Sequence, residues 1–166
     1  METTSHIRAS TGRVDVTLAE EDFSMSDLPD SLTPEERVQF GREWFNYTMT
    51  MQPPVSDSPY RQAGIANFVF AEMWSRPGLD MRSRRFITLA CVGAAGTMVP
   101  ITTHVYAAMN SGDVSYEEMM EFVLHFAVYQ GWPKASIMEQ VVREQWARIQ
   151  EEGGPVRMDV PARPGA

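Results

Sequence analysis

The sequence contains almost no cysteine. Among its 166 residues there is a single one, Cys91, and a lone thiol can form neither an intramolecular disulfide nor a zinc site built from several thiolates. Cys91 lies inside the apolar run 86–95, so we expect its side chain to be buried. Without a disulfide framework the chain is compatible with a reducing compartment, and we expect it to be cytoplasmic.

Long apolar runs and a surplus of basic charge are also missing. No apolar stretch approaches the ~20 residues that a membrane-spanning helix needs, and the first residues show no secretory signal pattern, so we expect no membrane attachment. The formal net charge is -8, and nine of the 22 acidic residues precede Arg37. The remaining chain is nearly neutral and has no basic stripe that could bind a phosphate backbone, which argues against a nucleic-acid partner.

Histidine is scarce as well, with three in the chain. Two of them, His104 and His125, lie in its central part, and neither belongs to an HExxH or Glu-x-x-His pattern. A structural zinc ion takes four ligands, which two separated histidines cannot supply without carboxylates. We therefore expect no metal site.

The pattern of apolar residues and helix breakers predicts an all-α fold of about six helices. Capping boxes, Thr33 to Glu36 and Ser115 to Glu118, begin the first and the fifth helix. The third helix is so rich in small and apolar residues that we expect it to be buried on most sides. The expected helices are at about 34–50, 59–74, 84–96, 100–110, 116–130 and 133–152. They form one helical domain, 32–152, between an acidic N-terminal arm, 1–31, and a flexible C-terminal tail, 153–166.

The fifth helix carries a column of titratable side chains. Glu121, His125 and Tyr129 are spaced i, i+4, i+8 and so share one stripe beside an apolar face. Such a column could act in acid/base chemistry. The alternative is a core histidine whose ring nitrogen is satisfied by a backbone carbonyl or a helix neighbour, which is the commoner situation for a lone histidine on an apolar helix.

A cluster of arginines flanks the breaker at Pro77 and Gly78. A group of guanidinium ions could bind a dicarboxylate through bidentate hydrogen bonds. Helix capping and solvated ion pairs with Glu72 or Asp80 explain any one of these arginines equally well. The cluster consists of Arg76, Arg82, Arg84 and Arg85.

Five ordered motifs run from residue 72 to residue 135. They are Glu72-Met73-Trp74-Ser75-Arg76-Pro77-Gly78-Leu79, Arg85-x-x-Thr88-Leu89-Ala90, His104, Gly112-Asp113-Val114-Ser115-x-Glu117-Glu118 and His125-Phe126-Ala127-x-Tyr129-x-Gly131-x-Pro133-x-Ala135. Together they resemble the carboxymuconolactone decarboxylase family over roughly residues 35–150. The resemblance implies an alkylhydroperoxidase D-like helical fold, in which two-helix hairpins interlock with those of neighbouring subunits, usually in a homotrimer or a hexamer.

The family has a redox branch, which carries a Cys-x-x-Cys-x-x-x-His motif. Aligning that histidine on His104 places Thr97 and Pro100 at the two cysteine positions. Dithiol chemistry needs one sulfur to attack and a second to resolve. A peroxidase function is therefore the least favoured of the functional hypotheses for this chain.

The stretch Trp74-Ser75-Arg76-Pro77-Gly78-Leu79 is similar to the decarboxylase branch, which acts in the protocatechuate route without a cofactor. The resemblance implies a lyase that acts on a small unsaturated, lactone-like carboxylic acid. Loss of carbon dioxide sends electrons into the lactone carbonyl, so the enzyme must stabilise an oxyanion and donate a proton to carbon. Residue type and position suggest His104, His125, Arg85 and Tyr129 as catalytic groups. Glu72, Trp74, Arg76, Glu121 and Trp132 are the candidates for binding the substrate.

The chain departs from that branch next to the expected pocket. It has a Pro-rich link at 52–59, Trp132 between Gly131 and Pro133, and an uncharged joint at 96–100. The substrate could therefore be a related unsaturated lactone or a β-keto-type acid. A non-catalytic, oligomeric ligand-binding protein is the alternative function. An excess of apolar side chains supports assembly in either case: Trp44, Phe45, Phe68, Phe70, Trp74, Phe86 and Trp132.

Overall fold

A computed structural model describes residues 28–55 and 58–164, and within these ranges it contains six helices and no strand. The predicted all-α fold is thus confirmed. Nearly all of the predicted N-terminal arm lies outside the described residues, as do Ser56 and Asp57 of the link. The helices are α1 (Pro34–Met49), α2 (Tyr60–Trp74), α3 (Met81–Ala95), α4 (Met98–Asn110), α5 (Tyr116–Gln130) and α6 (Trp132–Glu151).

Local capping sets the helix ends. Both predicted capping boxes are present, and the amide of Thr33 donates to the Glu36 carboxylate at 2.8 Å. Asp80 caps α3 by accepting from the Ser83 amide at 2.7 Å, which is why α3 begins at Met81 and not at Arg84. Helix α4 also begins before the predicted Pro100, since a proline is tolerated in the first turn.

Helix α2 is wound as a π-helix over its whole length, in contrast to the other five described helices. The sequence predicts a helix here but not its hydrogen-bonding pattern. The α1–α2 hairpin is very tight at Gly41, where an added Cβ would collide with the carbonyl oxygen of Ala66. Only glycine fits at that crossing.

Two hydrophobic clusters meet at α4. One joins α3, α4, α5 and α6, and the other joins α1 and α2. Val105 and Ala108 of α4 belong to the first cluster, Ala107 belongs to the second, and all three are fully buried. Helix α4 is therefore the central element, and it holds His104 between the two halves of the core.

The prediction that α3 is buried on most sides is wrong. Only Arg85, Leu89 and Gly93 are buried, and these form a single stripe at i, i+4 and i+8. Ile87 is 53% exposed, and Cys91 is exposed instead of buried. The reason is geometric: among residues 28–55 and 58–164, α3 has neighbours on one face only, so its apolar content does not determine its burial.

The described part of the C-terminal segment runs back over the domain. The Gly154 amide donates to the Ile149 carbonyl at 2.8 Å, and the Val156 amide donates to the Asn110 carbonyl at 2.6 Å. The segment thus crosses the end of α4. The division into arm, domain and flexible tail stays a prediction.

The expected excess of apolar side chains is smaller than the sequence suggests. Trp44, Phe70 and Trp74 are buried within the chain, whereas Phe68 and Trp132 are exposed. Within the described ranges no helix combines the length and the apolar character that a membrane span requires.

Candidate functional site

A cavity of about 550 Å³ lies between the α1–α2 hairpin and α4. We name it the Trp74–His104 cavity after two of its side chains. Its wall is almost entirely apolar. The lining residues are Phe45, Met49, Met51, Pro53, Pro54, Arg61, Ile65, Ala66, Val69, Phe70, Trp74, Thr88, Val99, Pro100, Thr103 and His104.

His104 projects from α4 against Trp74, which ends α2. The two rings are stacked, with centroids 6.2 Å apart and planes inclined by 9°. The imidazole Nδ1 is buried and has no hydrogen-bond partner among the described residues. Burial, reinforced by the positive charge of Arg85, lowers the pKa of His104 to about 4. The imidazole is therefore neutral near pH 7.

Arg85 also contacts Trp74. Its guanidinium carbon is 5.5 Å from the centre of the indole ring, and its side chain is 1% exposed. The Nε atom donates to Asp113 Oδ2 at 3.1 Å, whereas Nη1 and Nη2 are buried without a partner among the described residues. Burial lowers the pKa of Arg85 and Asp113 opposes that shift, but a guanidinium ion remains charged in proteins.

Asp113 is itself held in place, because the Ser111 hydroxyl donates to Oδ2 at 2.9 Å. Tyr47 of α1 lies close enough for the charges of Arg85 and Asp113 to change the pKa of its hydroxyl. Burial and the Asp113 charge raise the pKa of Tyr47, and the Arg85 charge opposes them. Tyr47, Ser111 and Asp113 line a smaller, polar cavity of about 350 Å³ together with Arg157. Asp113 therefore borders the polar cavity, whereas Arg85 is not among the lining residues of either cavity.

The column predicted on the fifth helix lies on a different surface. Glu121, His125 and Tyr129 are all exposed, and the His125 and Tyr129 rings are 5.0 Å apart. His125 and Glu121 line an open groove between α3 and α5, and neither borders the Trp74–His104 cavity. The alternative of a core histidine is wrong for His125, because the turn of α5 that carries it faces outward. Trp132 is 69% exposed at the start of α6.

The arginine cluster is dispersed. Arg82 makes two hydrogen bonds of 2.8 and 2.7 Å with Glu118, and Arg84 donates to the Arg76 carbonyl at 2.7 Å. Glu72 pairs with Arg37 at 3.4 Å. Of the nine predicted site residues, the structure brings together Trp74, His104 and Arg85.

Three further residues belong to this region and were not predicted. Arg61 lines the apolar cavity, Asp113 orients Arg85, and Tyr47 faces both members of that pair. Asp113 stands inside a recognised motif, which could have drawn attention to it. Arg61 and Tyr47 had no sequence signal, because each is an ordinary member of an amphipathic helix. Among the described residues, no three or more His, Cys, Asp or Glu side chains are grouped so that they could hold a metal ion.

Comparisons with known proteins find a matching family model and relatives of similar sequence. The model of the family described as "Carboxymuconolactone decarboxylase family" matches residues 59–144, which include α2 to α5 and most of α6. The chain is 34% identical over 80 residues to the 4-carboxymuconolactone decarboxylase of Acinetobacter baylyi, a match that covers 48% of this chain and 59% of that protein.

A second relative is also named as a decarboxylase. The chain is 34% identical over 79 residues to the nitrosuccinic acid decarboxylase npaB of Metarhizium robertsii, covering 46% of this chain and 54% of that protein. The matches thus span somewhat more than half the length of either relative.

Proposed function

The chain belongs to the carboxymuconolactone decarboxylase family, and we propose that it is a cofactor-free decarboxylase whose substrate, a carboxylic acid, binds in the Trp74–His104 cavity. The observation that carries the proposal is a pair of unsatisfied groups that both contact Trp74, of which His104 lines the cavity. Buried polar atoms normally have partners. Here the Nη atoms of Arg85 and Nδ1 of His104 have none among the described residues, which is the arrangement expected of groups that await a polar ligand.

The proposed reaction breaks one carbon–carbon bond. The carboxylate leaves as carbon dioxide, and its bonding electron pair passes into a neighbouring acceptor group, where negative charge accumulates. A proton then adds to carbon, so that one proton is consumed for each carbon dioxide released. The acids named for the two relatives both contain such an acceptor, a lactone carbonyl in one and a nitro group in the other. We therefore propose an acid with an electron-accepting group next to the carbon that carries the carboxylate.

The apolar wall would favour the bond-breaking step. A carboxylate concentrates its charge on two oxygens, whereas the transition state spreads the charge toward the acceptor and into departing carbon dioxide. Aromatic and methionine side chains exclude water from the bound anion. This loss of hydration raises the free energy of the ground state more than that of the transition state. Asp113 pairs with Nε of Arg85, but both Nη atoms have no partner among the described residues, so this guanidinium beside Trp74 would still attract an anion where water is excluded.

His104 would act on the anion that forms. A neutral imidazole can donate one hydrogen bond to the developing oxyanion. A bound anion also raises the pKa of a nearby imidazole, so the pKa of His104 would rise above about 4 when substrate binds. His104 would then serve as the proton donor to carbon. His125, Tyr129, Glu121 and Trp132 line no part of this cavity, and the roles suggested for them stay predictions.

Carbon dioxide release tests the proposal. The purified protein is incubated with 4-carboxymuconolactone and with nitrosuccinic acid in separate experiments, and carbon dioxide is measured beside loss of substrate. The two should appear in equal amounts, and added chelator should leave the rate unchanged. If no acid of this kind yields carbon dioxide but the cavity binds them, the alternative of a non-catalytic ligand-binding protein replaces the decarboxylase.

We also propose that the chain forms a homo-oligomer, as the resemblance implies. Apolar side chains of α5 and of the start of α6 are exposed, including Leu124, Val128 and Trp132 at 53%, 74% and 69%. Contiguous apolar surface of this kind commonly marks a subunit interface. Light scattering of the purified protein should give the mass of a trimer or a hexamer, and a stable monomer would contradict the proposal.

A further inference from the structure

The Trp74–His104 cavity is larger and more apolar than a short polar acid requires. Its volume is about 550 Å³. One water molecule occupies about 30 Å³ in the liquid, so the cavity could hold roughly 18 of them. A non-hydrogen atom of an organic ligand takes a similar or smaller space. The cavity thus suits a ligand of about twenty non-hydrogen atoms, which is within the usual range for small-molecule sites.

The lining shows where an apolar body would lie. Along one side of α2, the residues facing the cavity are Ile65, Ala66, Val69 and Phe70. Phe45, Met49 and Met51 face them from α1 and the segment that follows. Methionine side chains adapt readily to irregular shapes. A short acid with two charged ends would leave most of this surface in contact with water.

The charged groups stand at opposite ends of α2. Trp74, with His104 and Arg85 beside it, is the last residue of the helix, and Arg61 is next to its first. An α-helix would separate Arg61 from Trp74 by about 20 Å at 1.5 Å per residue. The π-helix α2 is wider and rises less per residue, so its span is shorter, and the long Arg61 side chain shortens it further. Arg61 is exposed, and among the described residues that line the cavity it is the one with a formal charge. Its guanidinium makes no hydrogen bond or ion pair with another described side chain.

From these observations we infer that the substrate is a carboxylic acid with a bulky apolar body and a second anionic group, which Arg61 binds at the end of the cavity away from His104. The inference rests on the proposed function, since it names the substrate class of the same site. The reacting carboxylate lies beside His104, and the apolar body packs along α2. Arg61 acts in specificity and takes no part in bond breaking.

Binding of three matched probes tests this. Naphthalene-2,6-dicarboxylate has an apolar body and two carboxylates, naphthalene-2-carboxylate lacks one carboxylate, and succinate lacks the apolar body. Affinities are measured by isothermal titration calorimetry for the wild type, for Arg61→Gln and for Arg143→Gln. Arg143 is an exposed arginine of α6 outside the cavity, so it controls for the loss of one positive charge.

The naphthalene diacid should bind at least about a hundredfold more tightly than succinate, because it buries a large apolar area. Removing one carboxylate should weaken binding to the wild type and to Arg143→Gln by about fivefold, the size expected of a partly exposed ion pair. In Arg61→Gln, the naphthalene diacid and the monoacid should bind with the same affinity. Succinate binding as tightly as the diacid, or a fivefold loss that persists in Arg61→Gln, would overturn the inference.

The same protein samples separate this inference from the proposed function. Carbon dioxide release from nitrosuccinic acid together with tight succinate binding would retain the decarboxylase and reject the large apolar substrate. The opposite outcome is that the probes bind with the expected affinities but no acid with an acceptor group releases carbon dioxide. That outcome would reject the decarboxylase and retain the inference that the ligand is a large apolar diacid.

Discussion

The imidazole of His104 lies parallel to the indole of Trp74, with the ring centroids 6.2 Å apart, although the two residues come from different helices. The Arg85 guanidinium approaches the same indole at 5.5 Å. Trp74 thus contacts both a buried cation and a neutral imidazole. This arrangement places two groups that can bind an anion around one aromatic side chain, and four predictions follow from it and from the packing that supports it.

The first prediction concerns Asp113, which neutralises Arg85. Asp113→Ala leaves the Arg85 charge buried without its carboxylate, and losing one partner of a buried pair typically costs about 3 kcal/mol or more. Because the Asp113 side chain is 26% exposed, we expect about 2–3 kcal/mol of lost unfolding free energy. Urea denaturation measures it.

The double variant Arg85→Met/Asp113→Ala controls for loss of the aspartate alone. Its stability should recover to near the wild-type value, since an apolar side chain of similar length replaces the buried ion. Equal instability of the single and the double variant would show that the charge of Arg85 is not the cause.

The second prediction concerns pH. His104 has its pKa lowered from 6.5 to about 4 by burial and by the Arg85 charge. The unfolded chain therefore binds a proton at a higher pH than the folded chain does. The stability associated with a neutral His104 is fully present above pH 6.5 and is lost as pH falls toward 4. This difference in pKa between the folded and the unfolded chain corresponds to at most about 3 kcal/mol of unfolding free energy.

The variant His104→Leu isolates this contribution, because it removes the titrating group and keeps the remaining acid-sensitive residues. Its unfolding free energy should fall less than that of the wild type between pH 7 and pH 4.5, by about 2 kcal/mol. Parallel pH profiles of the two proteins would show that His104 is not shifted. The chemical shift of its ring proton in an NMR titration gives an independent reading.

The third prediction concerns the tight α1–α2 crossing that forms one wall of the cavity. In Gly41→Ala the new methyl group meets the Ala66 carbonyl, which is backbone and cannot move cheaply. We expect a loss of about 2–3 kcal/mol, the usual range for overpacking. Thermal and urea unfolding measure it.

Gly64→Ala is the matched control. At Gly64 the nearest atom to an added Cβ is Tyr60 Cδ2 at 3.9 Å, an ordinary contact. Alanine is also preferred over glycine inside a helix. This variant should be as stable as the wild type or slightly more stable. If both substitutions have the same effect, the crossing is looser than described.

Much of the fold follows from local sequence signals. The boxes at Thr33 and Ser115 and the glycines past the helix ends act within a few residues, so the helices could be predicted with their approximate bounds. Burial could not be predicted in the same way. Cys91 and Ile87 look like core residues in the sequence, but whether a helix face is covered depends on which other helices pack against it.

The site shows the same limit. His104, Trp74 and Arg85 could be proposed from their types and motifs, but their distances depend on the packing of three helices. The Arg85–Asp113 pair joins residues 28 positions apart, and Arg61 reaches the cavity only because α2 lies along it. His125 has the better sequence pattern for a catalytic column, yet its face of α5 points outward.

The most direct test of the central claim compares His104→Gln with His125→Gln in carbon dioxide release from an acid that the wild type decarboxylates. Glutamine retains hydrogen bonding but cannot donate a proton to carbon. We predict that His104→Gln lowers kcat by at least about a hundredfold, within the 10²–10⁴ range for loss of a general acid, while His125→Gln stays within about twofold of the wild type. Full activity in His104→Gln, or a loss confined to His125→Gln, would contradict a catalytic site in the Trp74–His104 cavity.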